Sequence, residues 1–99
     1  MPSVIVTENA NSDLLRLRDF IVGKNPKAAD RAVTTLLAAL RRLEVFPEMG
    51  RPHPGIPNLH VLSVPFGRAG YVVAYRFAQF SDEVQILAIR HQKESEDSE

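Results

Sequence analysis

Cysteine is absent from this 99-residue sequence, which excludes a disulfide framework, a thiolate nucleophile and any Cys-ligated metal site. Stability must come from packing. Apolar runs are only a few residues long, far below the roughly 18 consecutive residues that mark a membrane-spanning helix. The N-terminus also lacks a basic segment followed by an apolar stretch of signal-peptide length, so the chain is expected to be soluble and cytoplasmic, with no membrane partner. No phosphate-binding glycine loop of the P-loop or dinucleotide type is present. His53 and His60 are separated by a proline-rich stretch and join no spaced acidic pair, so neither a metal site nor a cofactor is expected. Ser63 and Ser81 have no base identifiable nearby, which leaves a hydrolase triad without support.

Net charge is missing too, since twelve Lys and Arg balance twelve Asp and Glu. Taken alone, neutrality argues against a strong electrostatic grip on nucleic acid. The distribution alters that picture. Residues 94–99, Glu94-Ser95-Glu96-Asp97-Ser98-Glu99, carry four acids and no base, whereas residues 1–93 hold twelve bases against eight acids, net +4. The body is mildly basic. The acidic tail has no apolar residue to bury and is expected to be disordered. With 44% apolar content overall, residues 1–93 suit one domain with a single core and are too short for two.

Residues 3–7 are rich in β-branched side chains, which favours a strand. Ala10, Leu14, Leu17 and Ile21 then recur at steps of four, three and four, placing them on one face of a helix that should stop near Gly23. Asn25-Pro26 supplies a cap residue followed by proline at the first helical position, where its missing N–H costs nothing. Ala29, Val33, Leu36, Leu40 and Leu43 continue as one stripe along a second helix running to about Val45, with Pro47 as its stop. The short gap between the helices suits an antiparallel hairpin. Gly50, Pro52, Pro54, Gly55 and Pro57 make residues 47–58 an irregular connection, with Phe46 expected in the core.

Residues 59–64, 70–77 and 83–91 read as three strands separated by Pro65-Phe66-Gly67 and by Gln79-Phe80-Ser81-Asp82. Such short connections give adjacent antiparallel strands. Tyr71, Val73, Tyr75 and Phe77 form the better candidate core face of the second run. In the third, Val84, Ile86 and Ala88 oppose Leu87 and Ile89, so both faces are partly apolar, as in a central strand. The expected order is strand, helix, helix, strand, strand, strand, an α+β two-layer domain.

In that order, several segments resemble the RelE/ParE superfamily of bacterial toxins from type II toxin-antitoxin pairs. The opening strand leads into a helix with Asp13-Leu14-Leu15, and Asn25-Pro26-Lys27-Ala28-Ala29 starts the second helix. Leu43-Glu44-Val45-Phe46-Pro47-Glu48-Met49-Gly50-Arg51-Pro52 ends it. Tyr71-Val72-Val73-Ala74-Tyr75-Arg76 and Ile86-Leu87-Ala88-Ile89-Arg90-His91 form the last strands. The likeness covers roughly residues 3–93, and it lies in the order and spacing of motifs that are each weak alone. The resemblance implies a helical hairpin packed on a small, mainly antiparallel sheet. It also implies a toxin neutralised by a cognate antitoxin in a hetero-oligomer.

Members of the superfamily divide by target. RelE-like toxins bind the ribosomal A site and cleave messenger RNA, whereas ParE-like toxins poison DNA gyrase without a known reaction of their own. Cleavage by 2′-hydroxyl attack needs a proton acceptor, a proton donor and cations for the developing charge. If the chain is a nuclease, His91, Arg90 and Arg76 are the catalytic candidates, with Arg68 and Arg51 as further cations. Departures point the other way. RelE-like nucleases commonly carry an arginine where this chain has Val72, and often an aromatic where it has Gln92. Lys93 is the one lysine beyond residue 27.

The preferred reading is therefore a ParE-like, non-enzymatic inhibitor of DNA gyrase, with Arg51, Arg76, Arg90 and His91 as target contacts. The alternatives are a ribosome-dependent mRNA endoribonuclease and an attenuated toxin that only captures its antitoxin. A disordered antitoxin segment can fold against the hairpin and add an extended stretch to a sheet edge. Leu15, Phe20 and Leu37 fall off the central stripes and are candidates for that groove, or else they complete the core.

Overall fold

The computed structural model describes residues 1–92; the acidic tail, and the expectation that it is disordered, lie outside them. Strand β1 (Ser3–Val6) leads into helices α1 (Glu8–Val22) and α2 (Pro26–Arg42). Strands β2 (Arg51–Pro52), β3 (Leu59–Phe66), β4 (Ala69–Ala78) and β5 (Glu83–His91) follow. The sheet order is β1-β5-β4-β3-β2, with β1 parallel to β5 and the other pairs antiparallel. This is the expected helical hairpin on a mainly antiparallel sheet.

Both helices start at side-chain caps. The Thr7 hydroxyl accepts the Ala10 N–H at 3.3 Å, and the Asn25 side-chain oxygen accepts the Ala28 N–H at 3.2 Å, with Pro26 at the first helical position. From α1 the core receives Ala10 and Leu17, with Leu14 and Ile21 packed against it. From α2 it receives Ala32, Leu36 and Leu40, continued by Leu43 just beyond the helix. These meet Leu62, Val64, Tyr71, Val73, Tyr75, Val84, Ile86 and Ile89 of the sheet. Both helices therefore cover the same face.

Five local expectations are corrected. Helix α2 ends at Arg42 rather than about Val45, because Leu43, Glu44 and Val45 each donate to the carbonyl three residues back and tighten the exit into successive turns well before Pro47. Those turns bury Leu43 completely and carry Phe46 outward. Phe46 is 63% exposed, not core. The connection over residues 47–58 is not wholly irregular, since Arg51 and Pro52 pair with Val61 and His60 as a two-residue edge strand, a place where proline is tolerated. Strand β3 also runs through Pro65 and Phe66, and the turn into β4 is Gly67-Arg68, with Gly67 at φ 62°.

The fifth correction lies in β5. Ala74 pairs with Ala88 but Tyr75 pairs with Ile86, so Leu87 is an extra residue, a β-bulge. Beyond it the alternation reverses. Ile89 joins Val84 and Ile86 on the helix-covered face, and Ala88 turns to the other side.

Candidate functional site

The helix-free face of the sheet collects the arginines. Directly paired residues of antiparallel strands share a face. The row Arg51, Val61, Ala74, Ala88 therefore crosses four strands on the face opposite the core. Arg76 lies on the same face between Leu59 and Gln85, and Arg90 lies there opposite Val72, whose other neighbour is Ser63. Val61, Val72, Ala74 and Ala88 make a half-buried apolar floor, while Arg51, Arg76 and Arg90 are exposed around it. Among the described residues their guanidinium groups form no ion pair or hydrogen bond. At about 3.3 Å per residue, Arg76 and Arg90 stand about 13 Å apart along the strands. Their charge is available to a ligand that spans the face.

His91 is not part of this set. It pairs with Tyr71, a core residue, and its ring meets the Tyr71 ring edge-on at 5.6 Å. Arg90 and His91 thus point to opposite sides of the sheet, and the four target candidates divide three to one. His60 likewise lies on the covered side, stacked on Tyr75 at 5.2 Å, and the His53 ring accepts the Gly55 N–H at 3.0 Å within its loop. The arginine face holds no imidazole from a strand. Among the described residues no three His, Cys, Asp or Glu side chains converge as metal ligands.

Arg51 is positioned from beneath. The Tyr75 hydroxyl accepts the Gly50 N–H at 2.8 Å in the core, which ties the loop to β4 and presents the next residue outward. A Cβ at position 50 would come within 2.8 Å of the Tyr75 ring, so glycine is required for this approach. Burial raises the Tyr75 pKa above its ordinary 10.0, the Gly50 hydrogen bond works against the rise, and the Glu48 charge adds to it. Tyr71 is raised by burial alone.

Arg90 is positioned from the side. Strand β1 pairs with β5 only as far as Ile86, and beyond that point the entry to α1 takes over the backbone of β5. The Thr7 hydroxyl donates to the Ile86 carbonyl at 2.6 Å, and the Asn9 amide to the Leu87 carbonyl at 2.9 Å. The buried Asp13 carboxylate accepts the Ile89 N–H at 3.0 Å. These three bonds span the bulge. Sequence reading missed their role, although Asp13 stands at the spacing of the apolar stripe, three after Ala10 and four before Leu17. A charge inside a buried stripe was the available signal.

Leu15, Phe20 and Leu37 are all exposed, so they do not complete the core. Leu15 and Phe20, five residues apart, lie about 140° around α1 from each other and cannot line one groove. Leu37 does line a groove. With Val4, Val6, Leu40, Arg41 and Glu44 it bounds a cavity of about 200 Å³ beside β1, whose outer edge is unpaired within the sheet. A second recess of about 400 Å³ is lined by Val45, Phe46, Pro47, Glu48 and Met49.

Comparison with known proteins matches this arrangement. Residues 4–96 match the family described as the ParE toxin of type II toxin-antitoxin system, parDE. The chain is 37% identical to Toxin RelE3 of Caulobacter vibrioides, over 95% of this chain and 98% of that protein. It is 35% identical to Toxin RelE1 of the same organism, over 90% of this chain and 91% of that one. The solved structure of the chromosomal ParDE system from P. aeruginosa superposes with a TM-score of 0.76 at 26% identity, over 92% of this chain and 96% of that chain. The intact E. coli RelBE complex shares the fold, with a TM-score of 0.64 at 12% identity over 91% of this chain and 95% of that chain. With its motifs, its topology and a family match over nearly its whole length in agreement, the chain belongs to the ParE toxin family and is a type II toxin of the RelE/ParE superfamily.

Proposed function

We propose that the chain is a non-enzymatic toxin that binds DNA gyrase through its arginine face and is neutralised by a cognate antitoxin. The observation that carries this reading is the division of the candidates. Arg51, Arg76 and Arg90 share an open face over an apolar floor, whereas His91 is turned to the covered side. Arginines over an apolar floor suit recognition of an anionic or polar surface. General acid–base catalysis needs a proton-transferring group within reach of the same substrate, and this face supplies none that titrates near neutrality. The site of action is the cytoplasm.

The test is supercoiling by purified gyrase with and without the protein. Inhibition with accumulated cleaved DNA is expected, weakened by Arg76→Ala together with Arg90→Ala. Unchanged supercoiling without cleaved DNA rejects the reading. A second reading is favoured by the names of the two Caulobacter relatives, RelE3 and RelE1. It predicts message cleavage only in the presence of ribosomes, abolished by His91→Ala in a folded protein.

Antitoxin capture belongs to a different surface. The unpaired edge of β1 accepts an extended segment, and the cavity lined by Val4, Val6 and Leu37 takes an apolar side chain from it. Toxin and antitoxin then form a hetero-oligomer. Leu37→Glu is expected to abolish antitoxin capture and to spare gyrase inhibition; capture at the original strength removes this assignment.

A further inference from the structure

We infer that the element of the target taken by the arginine face is an acidic amphipathic helix, laid along the strands over β3, β4 and β5. The inference rests on the reading that this face meets the target, and it states what the face recognises. Charge complementarity is the first ground. Arg51, Arg76 and Arg90 have no ionic partner among the described residues, and Glu83 is the only acid in any described strand. Glu83 lies beyond Arg76 at the end of the face, where its carboxylate accepts the Gln85 amide at 2.8 Å. The strands therefore present cations around an apolar floor, which acids on a partner complement.

The floor decides the class of partner. Val61, Val72, Ala74 and Ala88 are half-buried and offer no hydrogen-bonding side chain. Because their backbones already pair within the sheet, an extended segment laid on this face would bury its own amides without partners. A helix bonds its own backbone and brings an apolar stripe to such a floor. Nucleic acid is the poorer match. Phosphates set over Val61, Val72 and Ala74 would lose water and find no donor there. Phe66, Tyr71, Tyr75 and Phe77, the aromatic rings of the strands, all belong to the covered side, which leaves no platform for a base.

Spacing is the third ground. Arg76 and Arg90 stand about 13 Å apart along the strands, the rise of about nine helical residues. Nine residues make about two and a half turns, so two acids at that spacing leave a helix on opposite flanks of its apolar stripe. Arg76 on β4 and Arg90 on the neighbouring β5 meet one flank each. Arg51, two strands beyond Arg76, faces the same flank as Arg76 near mid-length, level with Ala74 and Ala88.

The absence of native cysteine makes a direct test simple. Ser63 is exposed on this face beside Val72. A benzophenone on Ser63→Cys in the full chain, irradiated with purified gyrase and DNA, is expected to cross-link to one segment of gyrase, a helix with acids on both flanks of an apolar stripe. The cross-link should fade at high salt and in a variant with Arg51, Arg76 and Arg90 all changed to Gln. Cross-linking to DNA, to a second copy of this chain, or to a strand or loop of gyrase overturns the inference, as does a yield unchanged in the Gln variant.

A peptide probe separates this inference from the identity of the target. A stapled helix of about five turns, with a leucine stripe and glutamates about nine residues apart on its two flanks, should shift the amide signals of Val61, Val72, Ala74 and Ala88. It should bind the Gln variant about tenfold more weakly, the scale of three exposed ion pairs acting together. The same helix with lysine for glutamate, and a duplex oligonucleotide, should leave those signals in place. Signals moved by the oligonucleotide, signals that the glutamate helix leaves unmoved, or shifts centred on Val4, Val6 and Leu37 overturn the inference. If gyrase is neither inhibited nor cross-linked while the glutamate helix binds this face, the gyrase reading fails and the assignment of an acidic helix to the face stands.

Discussion

Asp13→Ala removes a carboxylate that is 6% exposed and accepts the Ile89 N–H at 3.0 Å, across 76 positions of sequence. The substitution leaves that amide without its acceptor where β1 has already ended. A buried donor without an acceptor costs about 1–3 kcal/mol, and a hydrogen bond to a charged group is worth about 1.5–3 kcal/mol. Arg16, at 3.8 Å from the carboxylate and half exposed, adds little. The expected loss is therefore about 2–3 kcal/mol, which a domain of ordinary stability survives in folded form. In urea, with a slope of about 1.5 kcal/mol per molar, the midpoint should fall by about 1.3–2 M. Asp13→Asn keeps an acceptor oxygen without the charge, and should lose about half as much. Hydrogen exchange at Ile89 should accelerate in both variants. An Asp13→Ala midpoint within experimental error of the parent, with Ile89 still protected, would refute the reasoning.

Tyr75→Phe deletes the acceptor of the Gly50 N–H in the core and should cost about 1–2 kcal/mol, read by urea unfolding, with faster exchange at Gly50. Alkaline titration tests the phenols. Burial raises the Tyr71 and Tyr75 pKa values above 10.0, so between the unfolded and folded values the native state holds more protons. Stability that is fully present below pH 10.0 should then be lost as pH rises through the folded values, with a shallower decline in Tyr75→Phe. Phe46→Ser should shift the thermal midpoint little, within about 0.5 kcal/mol, because the ring is exposed; a loss of several kcal/mol would restore the core assignment.

The helices were legible because each buries one side, and a one-sided stripe writes its period into the sequence. Ala10, Leu14, Leu17 and Ile21 needed no partner to be recognised, nor did the cap formed by Asn25 and Pro26. The exit of α2 was harder. Whether Leu43 or Phe46 takes the inward position depends on how tightly the last turn winds, and both are apolar. Strand β2 exists only through its pairing with Val61 and His60, so two residues, one a proline, carry no local signal. Arg76 could be assigned to a face of its strand by alternation, whereas alternation from Val84 and Ile86 misplaces Arg90, because the bulge at Leu87 carries no local signal. Which face is open depends on where the helices pack, and Arg51 joins the set through the same pairing. Asp13 was noticed only as part of a helix motif, because the Ile89 N–H it accepts lies 76 positions away in the sequence.

The bulge at Leu87 carries more of the site than any single side chain. With strict alternation from Val84 and Ile86, both on the covered face, Ala88 and Arg90 would follow them inward and His91 would stand on the open face. One extra residue exchanges the two. It presents a guanidinium on the open face and withdraws the imidazole to the side of Tyr71, so whether a permanent cation or an imidazole stands on that face is decided in the backbone. Thr7, Asn9 and Asp13 bond to β5 at that extra residue and on either side of it, at Ile86, Leu87 and Ile89. The entry to the first helix therefore helps fix which of two adjacent residues, Arg90 or His91, stands on the open face.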